Sequence, residues 1–488
     1  MIKKLLFLAI SLGLAYHISR FTGGFDIPYL AAAAAFFLVL GVSFVRGTDA
    51  LYIIAVAMLF SPEIGASTQT GRTAGEGAGL VVRLEDVLLI AIGVGWLLRT
   101  AYQKRRFGIA RTSVNVAIVI YMVASIASTL LGVVSGSVKP MSGLFNNLKY
   151  FEYFFLFFMI LAHVRRKESI SRIVAVIFIV FFCAMIYGYT QIQFGGSLRV
   201  CAPFDSEPNT FGGYIVLIFC VLFGVALVDS RTRVRLFVVG LMLFSIPPLM
   251  FTLSRASYMA LIAGILAFLA VSRQRILVGA VLVGIVGLTL VMIPVIPQKI
   301  QSRVQGTFQK GTEYHVKVAG VDLDPSASAR IVSYREAIES WIAAPFFGHG
   351  VTGTHFIDGQ FFRLLAETGI VGFAAFMYVL WRLMFEVWRI YKVADPPFLK
   401  GVCLGFFCGI FAMLAHGISA NSFIIVRIAE PFWLMAGLIL LIPRLRYGGD
   451  TVEPIPKPVP PENLFERHRK RLAEAGQPAP SPNAHRTP

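Results

Sequence analysis

The sequence predicts an all-α polytopic membrane protein: about 14 transmembrane helices with a long periplasmic loop carrying short amphipathic helices. Three observations carry this reading. Charged residues make up 14% and hydrophobic residues 57% of the 488 positions, whereas a soluble domain carries about 25% charge. The apolar residues fall in long runs, without the strand-like alternation of an outer-membrane barrel. Lys and Arg gather in alternate loops between those runs, as topology requires. The net charge of +18 therefore does not point to nucleic acid, because the basic residues sit in short clusters beside the spans.

Met1 to His17 opens with two lysines and an apolar stretch, like a signal peptide. No small-residue cleavage site follows Tyr16, His17 or Arg20, so this run, near 4–19, is read as an uncleaved first span. Further runs fall near 27–45, 50–65, 84–99, 113–134, 143–163, 171–190, 210–229, 235–252, 256–272, 276–296, 361–382, 400–418 and 423–443. One set of loops holds Lys3-Lys4, Arg46, Lys104–Arg106 with Arg111, Arg165-Arg166-Lys167, Arg231/Arg233/Arg235, Arg273/Arg275 and Arg389/Lys392/Lys400. The positive-inside rule puts these loops and both termini in the cytoplasm, with the protein in an inner membrane. Loops 66–82, 135–142, 191–209, 297–360 and 419–422 then face the periplasm.

Residues 1–446 form the predicted bundle, with its periplasmic loop at about 297–360. Within that loop Ser328 to Ile342 reads as an amphipathic helix. Ser328 is its expected cap, Pro345 its stop, and Ile331, Tyr334, Ala337, Ile338 and Trp341 its apolar face. Residues 447–488 are Pro-rich and low in complexity, the pattern of a disordered cytoplasmic tail. The five cysteines show no CxxC pairing and lie mostly in apolar runs, so neither a disulfide nor a metal site is expected. No cofactor is implied, and no internal repeat of the transporter kind is visible.

Polar groups gather on the predicted periplasmic side in Arg199–Asn209 (RVCAPFDSEPN), in the Ser254-Arg255 turn, and in Arg330–Gly372. An arginine pinned between two apolar helices, as Arg255 is, requires an anionic partner. That partner is a neighbouring carboxylate, a lipid phosphate or a substrate. Arg199, Arg255 and Arg330, without a matching run of carboxylates, suit an anionic substrate. A diphosphate fits because guanidinium groups hold phosphate oxygens in pairs.

These segments also resemble the O-antigen ligase/polymerase family of membrane glycosyltransferases. The matching pieces are Arg199 followed by Glu207-Pro208-Asn209, the Ser254-Arg255-Ala256-Ser257 turn, Arg330 leading into Trp341 and PFFGHG, and QFFRLLAETGIVG from Gln360 to Gly372. The resemblance spans roughly residues 195–445. It implies a helical fold of the C-type glycosyltransferase class, a polyprenyl-diphosphate-linked oligosaccharide as donor, an outward-facing site and metal-independent chemistry. Arginines matching Arg255 and Arg330 would hold the diphosphate, with Arg199 as a third member.

The chain departs from the ligase pattern at one place. Ligases carry His-Asn two residues before the Gln-aromatic pair, and here those positions are Asp358-Gly359. His355 lies three residues and His349 nine residues before Asp358. Displacing a diphosphate needs a base near the attacking hydroxyl, and Asp358 or His355 could serve. Asp358 could equally cap the helix at Gln360. Asn209 and Glu367 are expected supporting residues, Glu367 as the partner of a buried arginine. Arg427 and Glu430 are expected to pair within the last span.

The favoured reading is a polymerase of undecaprenyl-diphosphate-linked repeat units for exopolysaccharide, capsule or O-antigen. A ligase passing glycan to a lipid or protein acceptor is the alternative within the class. A transporter or flippase is the alternative outside it, and a membrane scaffold would leave the arginines unexplained. The partners that fit are the lipid-linked oligosaccharide, membrane lipids, a chain-length regulator and a flippase.

Overall fold

Long runs of Leu, Ile, Val, Phe and Ala satisfy their backbone hydrogen bonds internally only as helices in an apolar medium. In the computed structural model they form helices across the described residues. The structure describes residues 27–61, 63–64, 82–102, 110–194, 199–201, 203, 207–292, 317–318, 321–322 and 325–445. The expected first span at 4–19 and the Pro-rich tail lie outside these residues.

The helices are α1 Ile27–Phe60, α2 Leu84–Tyr102, α3 Ser113–Val134, α4 Pro140–His163, α5 Lys167–Phe194, α6 Pro208–Val228 and α7 Thr232–Phe251. They continue with α8 Arg255–Val271, α9 Arg275–Met292, α10 Pro325–Ala343, α11 Gln360–Val393, α12 Pro397–Gly417 and α13 Val426–Leu441. Two short antiparallel ladders pair β1 Glu63–Ile64 with β2 Val82–Arg83, and β3 Lys317–Val318 with β4 Val321–Asp322.

Among the described residues 8 helices are long and apolar enough to cross a membrane. They are α1, α3, α5, α6, α7, α11, α12 and α13, and α8 is apolar but only 17 residues long. Among the described residues this is fewer than the roughly 14 expected: the first expected span lies outside them, and others merge or carry charge. Runs 27–45 and 50–65 join in α1 across Arg46, which breaks the helical backbone (φ −143°, ψ 78°). Helix α2 carries Glu85, Asp86 and Arg99, and α4 carries Lys149 and Glu152 within otherwise apolar stretches.

The centre of the bundle is α6 and α13, both buried along almost their whole length. Trp433 of α13 packs among Tyr153, Phe154 and Phe157 of α4. Helix α12 lies tightly along α6 because Gly401, Gly405 and Gly409 recur at every fourth position. A Cβ on Gly224 of α6 would sit 2.3 Å from the Gly405 nitrogen and 2.4 Å from the Gly401 carbonyl oxygen. Small residues at this spacing let helix backbones meet where lipid offers no hydrophobic drive.

This topology sorts the chain by end. Helices α6, α8, α11 and α13 begin, and α7 and α12 finish, at one end of the bundle. The Arg165–Lys167, Arg231–Arg235, Arg273/Arg275 and Arg389–Lys400 clusters follow helices that run away from that end.

Candidate active site

The first component is the turn between α7 and α8. Ser254 caps α8, its Oγ accepting from the Ser257 backbone N–H, and it donates to Asn209 Oδ1 at 2.8 Å. Leu253 reaches this turn with φ 52°, a left-handed backbone that a branched side chain rarely adopts. Arg255 follows as the first residue of α8 and is exposed. Arg199 holds the turn from the side. Its Nε donates to the Thr252 carbonyl at 3.0 Å and its NH2 group to that of Leu253 at 3.4 Å. The guanidinium therefore engages the carbonyl end of α7.

The second component is α10, which lies against the start of α11 and the end of α12. It begins at Pro325, three residues before the expected cap, so Ser328 sits buried inside the first turn. A proline is pre-shaped for that first position. Tyr334 stacks on Phe362 with ring centroids 4.1 Å apart, and its hydroxyl donates to the Ile418 carbonyl at 2.8 Å. This docking aims Arg330 at Asp358, with Nε 3.9 Å from Oδ2. That is too long for a hydrogen bond, and the buried Nε of Arg330 has no acceptor among the described residues.

Asp358 does not cap α11. The cap position belongs to Gly359, at φ 97°, and makes no side-chain bond. The cap alternative is thereby removed, because the α11 backbone turns one residue later than Asp358 could serve. Burial pushes the Asp358 carboxyl above its ordinary range, and the Arg330 charge pulls the other way without prevailing.

The third component is a break in α11. Gly369 leaves the helix at φ 61°, ψ −168°, and the PFFGHG loop docks into the gap. Ile370 N donates to Pro345 O, Val371 N to Phe346 O, His349 N to Ala366 O and Gly350 N to Glu367 O, at 2.8–3.1 Å. The groups freed by the break are thus repaired by the loop. Glu367, 2% exposed, pairs with Arg363 Nε at 3.0 Å and accepts from the Thr352 backbone at 3.4 Å.

The histidines that stand out in the sequence take other positions. His355 forms a 3.0 Å pair with Glu336 on α10, both about half exposed. His349 Nε2 bonds the Ser340 carbonyl at 2.9 Å. The histidine that enters the centre of the site is His416, fully buried at the end of α12, bonded to Ser422 Oγ at 2.7 Å and Ser257 Oγ at 3.3 Å. Sequence reasoning passed over it as part of an apolar run. A histidine inside a span was the available signal. Gln360 was also passed over. It is 1% exposed and accepts from Phe423 N at 3.0 Å.

The expected Arg427–Glu430 pair does not form. Arg427, fully buried, donates to the carbonyls of Met58 (3.2 Å), Leu59 (2.7 Å) and Ser61 (3.0 Å). Neither carboxyl oxygen of Glu430 has a hydrogen-bond partner among the described residues. The carbonyls at the open end of α1 are the stronger claim on a fork of donors.

These features define a multi-pass helical membrane protein with a polar, arginine-bearing site at one end of its bundle. Residues 240–377 match the family model described as O-antigen ligase, a likeness confined to that segment. The match runs from α7 to the middle of α11 and takes in Arg255, Arg330, Asp358, Arg363 and Glu367. It supports a membrane function of the ligase or polymerase type. No curated protein matches the chain.

Proposed function

We propose that the protein polymerises undecaprenyl-diphosphate-linked oligosaccharide repeat units at the periplasmic face of the inner membrane, for an exopolysaccharide, capsule or O-antigen. The observation that carries this is Arg330, whose buried, unsatisfied Nε lies 3.9 Å from Asp358 at the end of the bundle that bears Arg255. A buried cation donor without an acceptor is a natural anion site.

Arg255 and Arg330 hold the donor diphosphate and neutralise the charge that grows on it as it leaves. Arg199 assists from the α7 end, and Asn209 fixes the turn. Asp358 accepts the proton of an acceptor sugar hydroxyl, with His355 as the second candidate base. The hydroxyl oxygen bonds the anomeric carbon, the carbon–oxygen bond to the diphosphate breaks, and the polyprenyl diphosphate departs with the electron pair. Glu367 and Arg363 hold the loop around this centre. No protein-bound metal or cofactor enters the scheme. The segregation of basic clusters at the far end supports cytoplasmic termini. A flippase would supply the donor, and a chain-length regulator would set the product size.

The test incubates purified protein with a lipid-linked repeat unit as sole substrate. A ladder of polymers is expected from the wild type, and single repeats from Arg255→Ala and Arg330→Ala. Polymer of wild-type length from both variants would refute the diphosphate role. The family description favours a second reading, transfer to a lipid acceptor. Product that forms only when such an acceptor is added would establish it. Movement of the intact donor across the bilayer without product would indicate a flippase instead.

A further inference from the structure

A continuous buried hydrogen-bond chain crosses the site from the α12–α13 turn to α6. Ser422 Oγ lies 2.7 Å from His416 Nδ1, and His416 Nε2 lies 3.3 Å from Ser257 Oγ. Ser257 Oγ donates to Ser254 Oγ at 2.8 Å, and Ser254 Oγ donates to Asn209 Oδ1 at 2.8 Å. Ser422, His416 and Ser257 are each 0% exposed and Ser254 is 1% exposed.

The direction of the chain follows from proton counting. Each serine hydroxyl has one proton. Ser254 gives its proton to Asn209 and Ser257 gives its own to Ser254, so Ser257 can only accept from His416. His416 therefore carries its proton on Nε2, and Nδ1 accepts from Ser422. Every link points the same way, and one neutral tautomer satisfies all of them.

The chain also joins the two halves of the site. At one end are Ser254 and Asn209, which fix the turn carrying Arg255. At the other, Ser422 sits in the α12–α13 turn, whose neighbours Asn421 and Phe423 bond Ile357 O at 3.1 Å and Gln360 Oε1 at 3.0 Å. Those bonds hold the segment that presents Asp358. Room for the chain is built into α6. A Cβ on Gly212 would fall 2.2 Å from Ser257 Oγ, and one on Gly213 would fall 2.8 Å from the His416 ring.

We propose that His416 is a positioning residue, which through Ser257 and Ser422 locks the Arg255 turn and the Asp358 loop into one geometry for glycosyl transfer. This rests on the proposed function above. The chain acts as a unit, so cutting it on either side of His416 loosens the same coupling. Ser257 and Ser422 sit on different elements and meet only through the ring.

The experiment measures kcat and KM for the lipid-linked repeat unit in Ser257→Ala, Ser422→Ala and the double variant, with Arg255→Ala alongside and thermal melting recorded for each. Each single variant is expected to lose about tenfold in kcat at nearly constant KM, and the double variant no more than either. Melting losses should add, because two separate hydroxyls are removed. Multiplying kcat losses, or wild-type kcat in both singles, overturns the proposal while an inactive Arg255→Ala leaves the proposed function standing. Full activity of Arg255→Ala, or no turnover of the lipid-linked donor by the wild type, overturns that function and the positioning role with it.

Discussion

Arg363 Nε lies 3.0 Å from Glu367 Oε1, one helical turn above the break at Gly369. The pair is nearly closed off from solvent, and Arg363 also lies over the rings of Tyr150 and Phe356, with its guanidinium carbon 5.8 Å from each centroid. It clamps the PFFGHG loop to α11.

Breaking such a pair from one side strands a buried charge. Removing one partner costs about 3–5 kcal/mol, whereas replacing both with apolar residues is often tolerated. Arg363→Met and Glu367→Leu should each lower the melting temperature sharply, and the double variant should melt above either single. Thermal unfolding in detergent, followed by tryptophan fluorescence, checks this. A double variant below both singles would mean that the pair does not act as a clamp.

A second prediction concerns pH. Asp358 works as a base only when ionised, and burial raises its carboxyl above the ordinary range. Activity should therefore fall as pH drops through this raised value, rather than near 4 where an exposed aspartate titrates. Arg330 opposes the rise, so Arg330→Gln should move the acid limb of kcat/KM to still higher pH in its residual activity. Asp358→Asn should remove the limb along with most of the rate. A pH profile that is unchanged in Asp358→Asn would take the base role away from this residue.

Arg427 ties α13 to the end of α1. Leaving buried acceptors unsatisfied costs about 1–3 kcal/mol, so Arg427→Met should destabilise by at least that amount. Arg427→Lys should rescue only part of it, because an ammonium lacks the fork that spans three carbonyls. Equal melting of Arg427→Lys and wild type would contradict this account.

The α6–α12 contact offers a sharper contrast between two glycines. Gly405 packs against the backbone of Cys220 and Val221, where an added Cβ would lie 2.5 Å from either. Gly240, exposed on α7, has nothing within 4 Å of its own Cβ position. Overpacking costs about 1–3 kcal/mol or more, so Gly405→Val should lose folded protein on size-exclusion chromatography. Gly240→Ala should leave it unchanged or improve it. Loss in both would locate the damage elsewhere than at the helix contact.

Much of this was legible in the chain. The expected run at 113–134 coincides with α3, and 235–252 differs from α7 by a few residues at its start, because apolar length and flanking charge decide where a lipid-facing helix stops. The amphipathic helix and its stop at Pro345 were also readable, and the motif pieces around Arg255, Arg330 and Gln360 fall toward one end of the bundle. What depends on partners far apart in sequence is not written in any local stretch. Arg427 favours carbonyls at residues 58–61 over the carboxylate one turn away, and no periodicity records that choice.

The sequence by itself determined the class of molecule, several of its spans and the polar segments, since hydropathy and charge are summed over local stretches. Only the tertiary structure decided which polar groups meet. It removed Asp358 from the cap of α11 and left it beside Arg330, paired His355 with Glu336, and brought His416 against Ser257 across 159 positions of sequence. The reason is physical: burial makes each polar group find a partner, and which partner it finds is set by helix packing.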